Sequence, residues 1–93
     1  MIKSFADEGT LKFWETGSSA NVPTSIRKVA KRKLDMIEAA KELQDLKIPP
    51  GNKLHPLLGD RLGQHAIWIN AKYRGCFVWK DGNAYDVEIA DYH

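Results

Sequence analysis

The stretch that decides the fold is RGCFVWKDGNAYDVEIA, residues 74–90. Its first part is rich in aromatic and branched residues, and Asp81-Gly82-Asn83 is typical of a hairpin turn. Beyond the turn, Tyr85, Val87 and Ile89 alternate with small or acidic residues, as the apolar face of a strand does. We therefore expect an antiparallel hairpin whose second strand turns these three side chains towards the helices of the domain.

A hairpin brings the start of its first strand close to the end of its second. Arg74 stands at that start, and Asp91-Tyr92-His93 follows the second strand directly. We expect Arg74 and this triplet to line one cleft.

The first half of the chain has the apolar period of helices. Residues 2–5 alternate and predict a short opening strand. A short helix then follows, with Asp7 as its cap and with Leu11 and Trp14 facing inward.

A second and longer helix opens after Pro23. Its apolar positions recur with the helical period and leave the basic residues on the other side; they are Ile26, Val29, Ala30, Leu34 and Ile37. The pattern continues through Leu43 and Leu46 after a break near residues 39–40. The Pro-Pro-Gly-Asn turn of residues 49–52 ends it.

From residue 53 onward the apolar period changes to that of strands. Residues 53–57 are extended, residues 58–63 form a loop, and residues 64–71 alternate like a strand. This order predicts an α+β domain, with a short N-terminal strand and two to three helices packed on one face of a small antiparallel sheet. Ninety-three residues leave room for a single domain, residues 1–93.

The composition favours a cytoplasmic protein. No apolar run approaches the roughly 18 residues that span a bilayer, and residues 1–5 lead into charged residues with no apolar signal segment. The lone Cys76 is expected to be a reduced core thiol. Three scattered histidines and one cysteine show no metal-ligand spacing, so we expect no metal and no cofactor.

Positive charge is concentrated at the start of the second helix. Five of the seven residues 27–33 are cationic, although the formal net charge of the chain is only +2. The pattern fits a solvated helix face that pairs with acidic residues further along. It equally fits a surface that attracts the phosphates of a nucleic acid.

Several residues supply the chemistry for cleaving a phosphodiester without a metal. Histidines at positions 55 and 93 can move protons near neutral pH, and Arg74 can stabilise negative charge on a phosphate. His65 is in register with apolar strand residues, and we interpret it as structural.

Taken together, these segments resemble the HigB branch of the RelE-type bacterial toxins. The resemblance covers the whole chain and rests on a specific combination of motifs: Ile2-Lys3-Ser4-Phe5, Lys53-Leu54-His55-Pro56-Leu57, Gly59-Asp60-Arg61, Trp68-Ile69-Asn70, Tyr73-Arg74, Phe77 and the closing Asp91-Tyr92-His93. It implies a ribosome-dependent endoribonuclease (an mRNA interferase) that cuts translated mRNA, as the toxin of a type II toxin–antitoxin pair.

The resemblance also implies site residues. The active-site positions of the family fall on His55, Arg74, Asp91, Tyr92 and His93. The two histidines would share acid–base catalysis in an order left open, and Arg74 would stabilise the phosphorane. Asp91 would orient one of these groups, and Tyr92 would contact the phosphate or stack on a base. The cations Lys53, Arg61 and Lys72 are expected to bind RNA.

The implied partners are a HigA-type helix-turn-helix antitoxin, the ribosome and mRNA, with operator DNA bound only through the antitoxin complex. We expect the antitoxin to contact the helical side, through Trp14 or residues 27–33. One departure from the family is Leu58, where many members carry a lysine, which predicts a weaker or slower toxin. The alternatives are a non-catalytic ParE-type gyrase inhibitor and a degenerate toxin that acts mainly with its antitoxin in operon repression.

Overall fold

The computed structural model describes residues 1–91, so Tyr92 and His93 lie outside the described residues. Within them, four strands form one antiparallel sheet in chain order: β1 His55–Pro56, β2 His65–Trp68, β3 Tyr73–Lys80 and β4 Asn83–Asp91. The predicted hairpin of β3 and β4 is confirmed, because Lys80 pairs with Asn83 next to the turn and Arg74 pairs with Ala90 at the far end. The α+β architecture is confirmed as well.

The first helix, α1, spans Glu8–Thr16, and the predicted cap is present. The Asp7 carboxylate accepts a hydrogen bond of 2.6 Å from the Thr10 backbone N–H. The inward face agrees with the prediction in part, because Trp14 packs half-buried against the core whereas Leu11 is exposed. The buried residues of α1 are Thr10 and Phe13. The Thr10 hydroxyl accepts a hydrogen bond of 3.2 Å from the Ile89 N–H of β4, which turns this side of the helix to the sheet.

The second helix, α2, spans Arg27–Ala39 after a 3₁₀ turn at Thr24–Ile26. Its predicted apolar stripe is confirmed, with Val29 half-buried and the other positions buried: Ile26, Ala30, Leu34 and Ile37. The helix ends at the predicted break, and Leu46 enters the core from a 3₁₀ turn at Leu43–Lys47. Further 3₁₀ turns span Pro50–Asn52 and Gly59–Arg61.

One basic residue of α2 does not follow the predicted pattern. Lys33 is buried, although we expected the basic residues to lie away from the core. Its ammonium donates a hydrogen bond of 2.5 Å to the side-chain oxygen of Asn52, which is itself fully buried. A buried charge is tolerated where a polar partner replaces water, and that partner lies 19 residues away in sequence.

The second strand of the hairpin contains a β-bulge that the sequence did not reveal. Cys76 pairs with Glu88 and Val78 pairs with Tyr85, so Phe77 faces two residues of β4. Asp86 adopts a left-handed conformation here, with φ of 52°. The expectation that Tyr85 shares a face with Val87 and Ile89 is therefore wrong, because the extra residue reverses the alternation between Tyr85 and Val87.

The opening segment lies beside β4. It forms two isolated parallel bridges, Ile2 with Ala84 and Phe5 with Val87, so the predicted opening strand is reduced to two points of pairing. The main core fills the space between the helices and one sheet face, with Phe13, Leu34 and Phe77 among its buried side chains.

A smaller apolar cluster belongs to the opposite face of the sheet, which we call the site face. Its members are Leu57, Ala66, Cys76 and Ala90. No helix in residues 1–91 is long and apolar enough to cross a membrane.

Candidate active site

His55 lies on the site face. It pairs with Ala66 of β2, and Ala66 pairs with Cys76 of β3, so all three side chains share this face. The imidazole Nδ1 lies 2.7 Å from the Lys53 carbonyl oxygen. A carbonyl oxygen only accepts hydrogen bonds, so Nδ1 carries a proton. In the neutral ring, Nε2 is then the nitrogen with the free lone pair.

Arg74 is on the same face, two strands further in and two residues along β3 from Cys76, so its Cα atom lies about 12 Å from that of His55. Only 9% of its surface is exposed. Its guanidinium donates hydrogen bonds to the carbonyl oxygens of Asn70, at 2.7 Å, and Tyr73, at 3.3 Å. These contacts hold the guanidinium in a fixed orientation at the end of the hairpin.

Trp68 contacts two cations of the predicted site, Lys53 and Arg74. It pairs directly with Arg74 across the β2–β3 ladder. The Arg74 Cζ atom lies 4.0 Å from the indole centroid, and the Lys53 ammonium lies 3.9 Å from it. Trp68 was predicted only as one motif residue of a strand, because its contacts with Lys53 and Arg74 depend on the register of the strands.

Asp91 reaches the same end of the hairpin as Arg74. Its Cα partner is Tyr73, so strand alternation places its side chain on the face opposite to that of Arg74. Its carboxylate lies 3.9 Å from the ammonium of the exposed Lys72. The predicted site residues Tyr92 and His93 lie outside the described residues, and the cleft expected between Arg74 and the closing triplet stays a prediction.

Arg61 is held above the smaller cluster of the site face. It forms a salt bridge of 3.0 Å with Glu88 of β4 and donates a hydrogen bond of 3.1 Å to Gln64. Glu88 was not among the predicted site residues. Cys76 pairs with Glu88 across the sheet and is fully buried, as expected for a core thiol. Burial raises its pKa to about 11, so the group is a thiol at neutral pH.

A cleft of about 510 Å³ adjoins His55 at the sheet edge. It is lined by Glu42, Leu43, Gln44, Lys47, Leu54, His55, Pro56 and His65. His65 belongs to the opposite face of β2 from Ala66 and stacks on Phe77 at 6.3 Å. Burial, and then the neighbouring His55, lower the pKa of His65, so it is neutral at pH 7. The position of His65 against the core supports the prediction that its role is structural.

Leu58 stands in the loop beside this site and is 80% exposed. Its side chain is therefore not part of the apolar core. The position is open to solvent, as a phosphate-binding lysine would need, and this chain presents an uncharged residue there.

Comparison with known proteins agrees with this architecture. The family described as "RelE-like toxin of type II toxin-antitoxin system HigB" matches residues 3–93. Toxin HigB-1 of Vibrio cholerae serotype O1 is 38% identical over 85 residues, which cover 90% of each chain. Endoribonuclease HigB of Proteus vulgaris is 37% identical over 93 residues, the full length of both.

Solved structures show the same fold at low sequence identity. A chain of the YoeB–YefM complex from Staphylococcus aureus superposes with a TM-score of 0.62 at 14% identity, covering 100% of this chain and 98% of that one. The YoeB/ParE toxin from Agrobacterium tumefaciens gives 0.54 at 15% identity, covering 99% and 100%. With the family match over almost the entire length, this protein belongs to the HigB family of RelE-like toxins of type II toxin–antitoxin systems.

Proposed function

We propose that this protein is an endoribonuclease toxin that cuts mRNA on the translating ribosome. The name of the Proteus vulgaris relative, Endoribonuclease HigB, supports RNA cleavage as the activity. The observation that carries the proposal is the arrangement of the site face, where His55 and two cations, Lys53 and Arg74, lie on one side of the sheet. A proton-transfer group beside cations is what phosphodiester cleavage needs.

In the proposed reaction, His55 is the general base. Its Nδ1–H is engaged by the Lys53 carbonyl, so Nε2 takes the proton from the ribose 2′-OH. The 2′-oxygen attacks the adjacent phosphorus, and the bond from phosphorus to the 5′-oxygen breaks. A 2′,3′-cyclic phosphate and a 5′-hydroxyl form. The sequence left the order of the two histidines open; in this proposal His93 is the general acid, which protonates the departing 5′-oxygen.

Arg74 would stabilise the negative charge on the phosphorane. Its buried guanidinium is already oriented by two backbone carbonyls, so little reorganisation is needed when charge develops. Asp91 is proposed to orient a histidine or Arg74. Tyr92 is proposed to contact the phosphate or to stack on a base. Lys53, Lys72 and Arg61 bind phosphates of the RNA, and the salt bridge with Glu88 orients Arg61 for this role. This mechanism uses the chain's own side chains and calls for no metal or cofactor.

The test is mRNA cleavage in a reconstituted translation reaction, mapped by primer extension, with and without ribosomes. We expect cuts by the wild-type protein only when ribosomes are present. His55→Ala and His93→Ala should each lower the rate by about 10²- to 10⁴-fold, the usual contribution of general acid–base catalysis.

His65→Gln is the matched control, because this histidine lies on the other face of β2. It should retain cleavage once its melting temperature shows that it is folded. Unchanged cleavage by His55→Ala would remove His55 from the mechanism. Absence of any cut by folded wild type would contradict the endoribonuclease proposal and favour the gyrase-inhibitor or degenerate alternatives.

The partner of this toxin, we propose, is a HigA-type antitoxin that binds the helical side, with operator DNA contacted only through the complex. The proposed location of this pair, like that of ribosomes and mRNA, is the cytoplasm. Two of the cations in residues 27–33 are less available to an antitoxin than the sequence suggested. Arg27 donates hydrogen bonds to the carbonyls of Ser19 and Val22, and Lys33 is buried, whereas Lys28 and Arg32 are exposed.

The antitoxin surface is tested by co-purification with the cognate antitoxin. The double variant Lys28→Glu/Arg32→Glu should lose the antitoxin, because it reverses the charge of two of the three exposed cations of α2, and the third, Lys31, is paired with Asp35. Lys80→Glu, an exposed lysine at the hairpin turn, is the matched control and should retain it. Full binding by the double variant would exclude this face as the interface.

A further inference from the structure

Trp68 holds two positive charges near one another on the site face. The Lys53 ammonium and the Arg74 guanidinium lie 3.9 Å and 4.0 Å from the same indole centroid. They are therefore no more than about 8 Å apart, the sum of the two distances. Like charges at this separation repel, so their proximity needs a compensating attraction. The electron-rich face of an indole is the strongest cation–π acceptor among protein side chains.

The two cations depend on Trp68 to different degrees. Arg74 is buried, pairs with Trp68 across the ladder, and has two carbonyl contacts that fix it independently. Lys53 is exposed, and its flexible stem leads to an ammonium without a salt bridge within residues 1–91. The indole face is the contact that holds this ammonium in place. Loss of the ring is therefore expected to release Lys53 and to leave Arg74 where it is.

The position of Lys53 matters because its carbonyl also contacts His55. One residue thus contributes the backbone group that orients the imidazole and the ammonium that sits on Trp68. Two charge-assisted contacts of about 2.8 Å, made to opposite sides of one phosphate group, need cations no more than about 8 Å apart. The upper limit on the separation of the Lys53 and Arg74 charges meets this condition for a single RNA phosphate.

We propose that Trp68 is a positioning residue that assembles Lys53 and Arg74 into a two-cation clamp for one RNA phosphate next to His55. This inference rests on the proposed function, since it assumes that the bound phosphate belongs to RNA. Trp68 acts through the cations, and a base stacked on the indole is not required.

The test compares Trp68→Phe, Trp68→Leu and Lys53→Met in the full chain. The first readout is ribosome-dependent mRNA cleavage. Trp68→Leu should lower the rate by about tenfold, Trp68→Phe should restore most of it because a phenyl ring still binds a cation, and Lys53→Met should match Trp68→Leu. The double variant Trp68→Leu/Lys53→Met should lose no more than either single variant, since both remove the same contact.

The second readout does not depend on cleavage. A short single-stranded RNA with 2′-O-methyl groups cannot be cut, and its affinity is measured by fluorescence anisotropy over a range of salt concentrations. Release of one phosphate contact should weaken binding by about tenfold at low salt and reduce the slope of log K against log [salt] by about 0.7 for single strands. Trp68→Phe should keep the wild-type slope.

The outcomes separate this inference from the proposed function. If wild type does not cut mRNA but binds the RNA with a slope that only Trp68→Leu and Lys53→Met reduce, the clamp stands and the endoribonuclease proposal fails. If Trp68→Leu keeps the wild-type affinity and slope, or if its effect adds fully to that of Lys53→Met, the clamp is refuted. A Trp68→Phe variant no better than Trp68→Leu also refutes it, because only packing would then be lost.

Discussion

Asn52→Ala removes the buried acceptor that holds the Lys33 ammonium beneath α2. Asn52 accepts a hydrogen bond of 2.5 Å from Lys33, and its amide donates one of 3.1 Å to the Leu46 carbonyl. A hydrogen bond to a charged group contributes about 1.5–3 kcal/mol and a neutral one about 1 kcal/mol. We therefore expect the free energy of unfolding to fall by about 3 kcal/mol. In a domain of this size that corresponds to a decrease in Tm of about 12–24 °C.

The loss should depend on pH in a defined direction. Burial, and then the neighbouring Arg32, lower the pKa of Lys33 in the folded protein. A lysine whose folded pKa is depressed binds fewer protons than in the unfolded chain, so the stability of the wild type rises with pH from the folded pKa up to about 10.4. In Asn52→Ala the Lys33 ammonium has lost this acceptor, so the charged form of Lys33 is destabilised further. The difference between wild type and Asn52→Ala should thus be largest at pH 7 and shrink towards pH 10, as a growing fraction of Lys33 loses its proton.

Urea denaturation at pH 7 and pH 10 measures both effects. The matched control is Asp35→Ala. It removes the partner of Lys31, a lysine of the same helix that lies two positions before Lys33. That pair is about half exposed on both sides, so its loss should cost no more than about 0.5 kcal/mol. A loss below 1 kcal/mol for Asn52→Ala at pH 7, or an equal loss at both pH values, would refute a charged and buried Lys33.

Three further predictions concern the loop, the thiol and the first helix. Leu58→Lys should raise mRNA cleavage by restoring a phosphate-binding cation, whereas Leu62→Lys, an equally charged change at a leucine that is 76% exposed in the same loop, should have a much smaller effect. Cys76, with a pKa of about 11 and no exposed surface, should react with iodoacetamide at pH 8 at least about 100-fold more slowly in the folded protein than in urea, as mass spectrometry would show. Asp7→Ala should lower the free energy of unfolding by about 1 kcal/mol in the same urea assay, because it removes the cap of α1.

Most of the fold was predicted from residues that lie close together in the sequence. The Asp81-Gly82-Asn83 turn fixed the hairpin, and the hairpin placed Arg74 and Asp91 at one end of the sheet. Asp7 was recognised because a cap acts on residues three positions away. Such features can be predicted because their causes lie within a few residues of one another.

The missed features depend on partners that are distant in sequence. Lys33 was expected at the surface because its acceptor, Asn52, belongs to a different segment. Trp68 meets Lys53 and Arg74 only when three elements are in register, and residues 58–63, which connect β1 with β2, were predicted only as a loop. The resemblance to the family predicted site residues but could not predict the contacts that position them.

The bulge at Asp86 decides which residues of β4 reach the site face. Ala84 faces the helices, so strict alternation would have turned Glu88 to the helices as well. The extra residue reverses the phase, and Glu88 instead reaches Arg61 on the site face. A bulge leaves a backbone group without its ladder partner, and here the Ser4 hydroxyl accepts the Asp86 N–H at 2.9 Å while the Ser4 carbonyl accepts the Val87 N–H at 3.1 Å. By accepting these hydrogen bonds, the opening segment of the chain holds the last strand in the register that places Glu88 on the site face.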